Sequence, residues 1–225
     1  MLISLFAPAV GNFEKDLVAK GLSQAQTKMK LTRTNAENSQ ATSFGVNKGV
    51  VILGDSVALR SKDQIESSID NVAIDAVVSR NLSTINDLLK DYADSNALAK
   101  DVVIAGGVNE IDDYKGVINK MIKNLPKGHH IIFVTPYNGS KSGSKAVSLV
   151  QLRKYELEMA KKYDFVTVAD WYQVAKENIS IWNGTDGVHF GSDSDSINRG
   201  AKLYTNTIKE AIAKANQKPV KGGKK

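Results

Sequence analysis

Residues 50–60 read VVILGDSVALR: four branched apolar residues, then glycine, aspartate and serine, then a short stretch that can start a helix. An unbroken apolar run closed by a turn signal is the pattern of a strand buried on both faces, as in a parallel sheet covered on both sides. The pattern returns at residues 73–78, 102–105, 131–135 and 165–169, where β-branched residues dominate and Gly, Asp or Pro flank the run. Helical periodicity fills the intervals. Ile85, Leu88, Leu89 and Tyr92 fall on one face; Leu149, Leu152, Met159 and Tyr163 form a stripe within 145–163; a last helix is expected over 197–213. Strand and helix alternating in this way predict βαβ units, and hence a three-layer α/β/α sandwich around a five-stranded parallel sheet.

The chain has 225 residues, enough for one such core with flanking segments. It has no cysteine, which excludes disulfides, thiolate metal sites and a Cys nucleophile. Any covalent catalysis must therefore use oxygen or nitrogen. The formal charge is +6, but Lys214, Lys218, Lys221, Lys224 and Lys225 place most of it at the C-terminus, and the body is close to neutral. No basic stripe interleaved with aromatics is visible, so nucleic acid is not an expected partner.

The flanks divide the chain further. Residues 2–10 (LISLFAPAV) are apolar but far short of the roughly 20 residues that span a bilayer. They read either as a buried or interfacial anchor or as the end of a membrane helix. A helix is expected over 11–30, with Phe13, Leu17, Leu22 and Met29 loosely on one side, and a polar linker over 32–48. The expected organisation is thus a junction over 1–48, a catalytic domain over 49–214 and a basic, solvated, disordered tail over 215–225, which could alternatively touch an anionic polymer or membrane surface.

Three segments carry candidate chemistry. Gly54-Asp55-Ser56 follows the first strand and precedes a helix, at the carboxyl edge where open α/β sheets build their sites. A serine there is near N–H groups that can hold an oxyanion, although Asp55 or Ser56 capping the helix fits the segment equally well. Gly106-Gly107-Val108-Asn109 repeats this placement after the third strand, and the Asn amide is a donor available to the same crevice or a turn residue. WNGTDGVHF, residues 182–190, holds Asp186 and His189 three apart, so that a carboxylate can fix the tautomer of a histidine base. His129 and His130 sit at the entry to an apolar run, where a turn or strand-entry role is expected of them.

The ordered set G-D-S, G-x-N and D-x-x-H resembles the SGNH branch of the GDSL hydrolase superfamily over residues 50–213. The resemblance implies Ser56 as nucleophile, His189 as general base and Asp186 as its orienting partner. It also implies an oxyanion hole made by the Ser56 N–H, the Asn109 amide and the N–H of Ser79 in the segment Val78-Ser79-Arg80. Ser79 stands where the family usually has glycine, and Glu110 stands where aspartate is common.

The stretches ILGDSVAL, DAVVSRNL, GGVNEI and DWYQVAKENISIWNGTDGVHF further resemble the extracellular SGNH domain of Gram-positive peptidoglycan O-acetyltransferases. That resemblance implies an acetyl group passing through Ser56 to a peptidoglycan hydroxyl, with the C6 hydroxyl of N-acetylmuramic acid as the expected acceptor. The donor would be relayed from a membrane acyltransferase region, on the outer face of the cell membrane, and the domain would act as a monomer. No metal and no dissociable cofactor are implied. An O-acetylesterase is the neighbouring alternative and a non-catalytic glycan-binding module a more distant one. Asp55, Tyr137 and Trp182 are candidate substrate contacts, with Trp171 a further aromatic; for the aromatics, packing in core or loop is the competing reading.

Overall fold

Each apolar run forms a strand: β1 (Val50–Gly54), β2 (Val72–Ala76), β3 (Asp101–Ala105), β4 (His130–Val134) and β5 (Val166–Ala169). The computed structural model describes residues 38–109, 112–140 and 144–224, so the apolar start and the helix expected over 11–30 lie outside the described residues. The strands pair in parallel in the order β2-β1-β3-β4-β5, with Gly54 level with Ala76 on one side and Ala105 on the other.

Successive strand residues face opposite sides of a sheet, and both sides here are apolar. Val50, Ile52, Val103, Ala105, Ile132 and Val134 enter one buried cluster; Val51, Leu53, Val102, Ile104, Ile131 and Phe133 enter the other. This two-sided burial is why the runs read as continuous rather than alternating. The first cluster is covered by α1 (Ser56–Arg60), α2 (Lys62–Ser68), α6 (Trp171–Glu177), a 3-10 turn (Ile179–Trp182) and α7 (Ser194–Ala215). The second is covered by α3 (Leu82–Asp94), α4 (Tyr114–Asn124) and α5 (Ser144–Lys162). The chain therefore changes face around β1. In a sheet of this order the loops leaving β1 and β3 diverge, which opens a crevice at their carboxyl ends.

One expected boundary moves, and one helix is unexpected. β2 ends at Ala76 rather than at residue 78, because it is an edge strand with nothing packed over Val77 and Val78, which are 46% and 67% exposed. α4 is not among the helices expected from the sequence, although its buried positions Ile118, Met121 and Ile122 do fall at helical spacing on one face. No helix among the described residues is long and apolar enough to cross a membrane.

The described part of the expected linker and the expected disordered tail are instead packed on the sheet's amino edge. Residues 38–43 are helical and Ala41 is buried. The Lys100 ammonium, almost fully buried, donates to Asn38 Oδ1 (2.9 Å) and Asn216 Oδ1 (2.6 Å), joining the two flanks through one cation. Gln40 Nε2 donates to the Lys224 carbonyl at 2.6 Å. His130 bridges Asp101 Oδ1 (2.7 Å) and the Lys218 carbonyl (3.1 Å), and His129 Nδ1 meets the Ala99 carbonyl (2.7 Å), so both histidines hold the strand entry.

Two of the tail lysines are engaged locally. Lys218 donates to the Val166 carbonyl, and Lys221 donates to the carbonyls of Ile122, Lys123 and Leu125 at the end of α4. A cation at the carboxyl end of a helix satisfies orphan carbonyls and offsets the negative end of the dipole. Burial pulls both ammonium groups below their ordinary range. Val220, 2% exposed, completes the attachment. Val220→Ala is expected to destabilise the domain by about 1–3 kcal/mol, the cost of removing buried methyl groups. Urea unfolding measures this, and a solvated tail would give no change.

Candidate active site

Gly54, the last residue of β1, can be only a glycine: a Cβ there would lie 2.5 Å from the Cβ of Ala58, where α1 folds back over the strand. Asp55 then turns the chain and caps α1, its Oδ1 accepting from the Val57 N–H at 2.9 Å. Ser56 is the first residue of the helix, so its N–H is one of the orphan donors that point out of a helix start. The serine Oγ thus projects from the sheet edge at the helix start, beside N–H groups that Asp55 caps.

His189 reaches this serine from a loop 133 residues later. Its Nε2 accepts the Ser56 hydroxyl at 2.7 Å and its Nδ1–H donates to Asp186 Oδ2 at 2.7 Å. The other carboxylate oxygen of Asp186 accepts the backbone N–H groups of Val188 (2.9 Å) and His189 (2.8 Å), so the loop clamps the carboxylate that orients the ring. Partial desolvation raises the Asp186 pKa, but the His189 N–H, the imidazole and the Val188 N–H outweigh it and hold the group down to about 2. It is therefore an anion at neutral pH, and it fixes the tautomer that leaves Nε2 able to accept from Ser56.

The candidate oxyanion donors lie on the loops after the neighbouring strands. After β2 the chain turns through Ser79, whose φ of 58° puts a non-glycine residue in the left-handed region. Arg80 holds this turn against the sheet: its guanidinium donates to the carbonyls of Gly54 (3.2 Å) and Asp75 (2.7 Å) and to Asp75 Oδ1 (2.8 Å). After β3, the Asn109 amide donates to the Arg80 carbonyl at 3.2 Å, linking the second and third segments. Since β2 and β3 flank β1 in register, all three loops begin at one level.

The structure thus joins Ser56, His189 and Asp186 in one relay and places Ser79 and Asn109 on adjoining loops. The remaining candidates are placed differently. Asp55, 2% exposed, is a helix cap beneath the serine rather than a surface that substrate can touch. Trp182 sends its indole N–H inward to the Ala175 carbonyl (2.8 Å) and packs against Tyr137, Trp171 and Phe190; Trp171 is core. These rings support the histidine loop from below. Tyr137 is half-buried, lines the small cavity beside Asp55, and leans on Tyr172 and Trp182.

One positioning residue gives no sign of itself in the sequence. Arg60, a turn after Ser56, donates Nε–H to the Phe190 carbonyl and NH2 to the Gly191 carbonyl, both at 2.7 Å. It ties the helix that bears Ser56 to the loop that bears His189. Its place in VVILGDSVALR carries no signal, because the acceptors are backbone carbonyls 130 residues away. Gly187 is hidden in the same way. At φ 79° its carbonyl accepts from the Gly139 N–H (2.8 Å), and a Cβ would meet the Ser140 nitrogen at 2.5 Å.

No family model matches the chain. The C-terminal catalytic domain of Streptococcus pneumoniae peptidoglycan O-acetyltransferase A (OatA), solved with a methylsulfonyl adduct, is 44% identical, with a TM-score of 0.76 and a match covering 78% of this chain and 98% of that one. A provisionally named peptidoglycan O-acetyltransferase of Bacillus subtilis, YrhL, is 28% identical over 165 residues, 73% of this chain and 24% of its own length. The chain spans about a quarter of this longer relative. A member of the lipolytic G-D-S-L family from Veillonella parvula, 15% identical with a TM-score of 0.60 over 73% of this chain and 98% of that one, shares the fold.

Burial pushes the Asp55 carboxyl up to about 6, against the pull of the Val57 and Ala58 N–H groups and of His189. The folded protein therefore holds a proton that the unfolded chain releases near 3.8. Stability from this group is fully present below the unfolded value and is lost as pH rises through the folded one, by on the order of 3 kcal/mol. Asp55→Asn keeps a good cap and should remove this slope, so that urea unfolding shows a gain near pH 7 and little change near pH 4. At position 79 the left-handed backbone sets a different order. Glycine should be at least as stable as serine, and Ser79→Val should cost about 1–2 kcal/mol, seen as a fall of a few degrees in Tm by calorimetry.

Proposed function

Because the chain belongs to the family of peptidoglycan O-acetyltransferase A catalytic domains, we propose that it transfers acetyl groups through Ser56 to sugar hydroxyls of peptidoglycan. The observation that carries the mechanism is the continuous Ser56–His189–Asp186 relay, with both links at 2.7 Å. His189 Nε2 takes the Ser56 proton as Oγ attacks the acetyl carbonyl, and the negative oxygen of the tetrahedral intermediate is met by the Ser56 and Ser79 N–H groups and the Asn109 amide. Collapse returns the proton from His189 to the departing group and leaves an acetyl ester on Ser56. The sugar hydroxyl then loses its proton to His189, attacks this ester, and restores the serine.

The acceptor in this reading is the primary C6 hydroxyl of N-acetylmuramic acid, the least hindered hydroxyl of that sugar. The donor is an acetyl group relayed from a membrane acyltransferase region, on the outer face of the cell membrane; the far greater length of YrhL supports a larger whole protein. The domain acts as a monomer, since every proposed catalytic group comes from one chain. Hydrolysis is the competing outcome, favoured by the exposure of the His189 and Asp186 side chains, 37% and 57%, which admits water to the same acetyl-enzyme.

Incubation with an activated acetyl ester, with and without a chitooligosaccharide or muroglycan acceptor, separates these fates. Acetylated glycan is the expected product; acetate alone would establish an esterase, and glycan retained without either product a binding module. Ser56→Ala should abolish the acetyl-enzyme seen by intact-mass spectrometry and lower turnover by ~10⁴-fold or more. Near-normal turnover in this variant would overturn the mechanism.

A further inference from the structure

The reacting atoms offer a polymer little to hold. The cavity bounded by Asp55, Tyr137 and Tyr204 measures about 10 Å³, room for one water at most. Beside the oxyanion loops, however, lies a groove of about 350 Å³ between the starting ends of α3 and α4. That volume falls within the roughly 300–1,000 Å³ of small-molecule sites. Its lining includes Asn81, the residue after Arg80, whose carbonyl receives the Asn109 amide, so the groove starts one residue from the loop contact that joins Arg80 to Asn109.

The lining specifies a ligand chemistry. Tyr114 supplies a half-buried ring, held edge-on by Tyr155 with centroids 6.0 Å apart and planes at 72°. Tyr155 is itself fixed by its hydroxyl, which donates to Asn119 Oδ1 at 2.8 Å. An aromatic platform already held in place loses little entropy on binding. Around it stand the carboxylates of Asp112 and Asp113, the Ser83 hydroxyl and the Lys120 ammonium, with Asp112 and Lys120 exposed to solvent. Asp113 caps α4 by accepting from the Gly116 N–H, and the positive ends of the two helices offset the remaining carboxylate, so the groove offers polar partners of both kinds with little net charge, which suits an uncharged ligand. A pyranose fits this pattern: its C–H face lies on an aromatic ring, while its hydroxyl and amide groups donate to carboxylates and accept from an ammonium.

We propose that this groove is a glycan subsite, which seats the uncharged N-acetylated amino sugar adjoining the one that Ser56 acetylates. The proposal rests on the acetyl-transfer reading above and adds where the rest of the strand is held. An acceptor that reaches the groove gains binding energy away from the reacting hydroxyl and is positioned by it.

The test compares acetyl transfer from a soluble ester to chitotetraose and to chitobiose. The wild-type domain should use the tetrasaccharide better by about ten-fold in kcat/KM, carried by KM, as expected for one or two added hydrogen bonds and a ring contact. The double variant Asp112→Ala, Lys120→Ala should lose most of that preference, and Lys90→Ala, at an exposed ion pair elsewhere on α3, should keep it. The near-isosteric pair Asp112→Asn, Lys120→Gln gives the same comparison should the alanine variant fold poorly. Transfer with no chain-length preference, or a preference that survives both double variants, overturns the subsite and leaves the transferase reading standing. Release of acetate without any glycan product overturns the transferase reading, and the subsite with it.

Discussion

Parallel pairing of β1 between β2 and β3 is the constraint on which the site depends. Because Gly54 is level with both Ala76 and Ala105, the segments that follow all three strands start from one line at the carboxyl edge. Ser56, Ser79 and Asn109 lie two to four residues past that line, on three loops that share a crevice. The change of face around β1 keeps the crevice open, since helices leave toward opposite sides. Arg80 then fastens two of the loops by donating to Gly54 and accepting from Asn109, and Arg60 fastens the histidine loop to the serine helix.

Two aspartates serve the Ser56–His189 pair, and burial of one against hydrogen bonding of the other separates them. Asp55 is buried and has lost its water, so its carboxyl is pushed up to about 6 although it caps a helix. Asp186 keeps solvent and gains three N–H donors, so it is held down to about 2. The same residue type becomes a structural cap in one environment and a permanent orienting anion in the other. Cationic charge is likewise spent on architecture. Lys100, Lys218 and Lys221 are directed at side-chain and backbone oxygens on the amino edge of the sheet, remote from the chemistry. The net charge of the chain therefore says little about what it binds.

How much of this is legible depends on the range of the interaction concerned. The five strands, the sheet's parallel character and most helices can be read because burial on two faces leaves an unbroken apolar run, and a one-sided helix leaves a 3.6-residue stripe. The end of β2 is misplaced at Val77 and Val78 because apolar character does not reveal an edge strand. The tail reads as solvated because lysine density is a compositional signal. What anchors it, the carbonyls at the end of α4 and the buried seat of Val220, belongs to distant parts of the chain. Trp182 and Asp55 stand out as polar or aromatic residues near the motifs, but their inward orientation follows only from packing.

The fold class and the candidates Ser56, Asp186 and His189 are legible locally, because a strand followed by Gly-Asp-Ser and a loop that spaces aspartate three before histidine are local patterns with local physical reasons. Asp186 can reach the His189 ring from within one turn of chain, whatever surrounds it. Packing alone brings this ring to Ser56 across 133 residues, gives Ser79 a left-handed backbone, lets Arg60 tie the Ser56 helix to the His189 loop, and opens a groove beside Asn81. These depend on sheet register and helix packing, which bring together groups whose separation in sequence carries no trace of their contact.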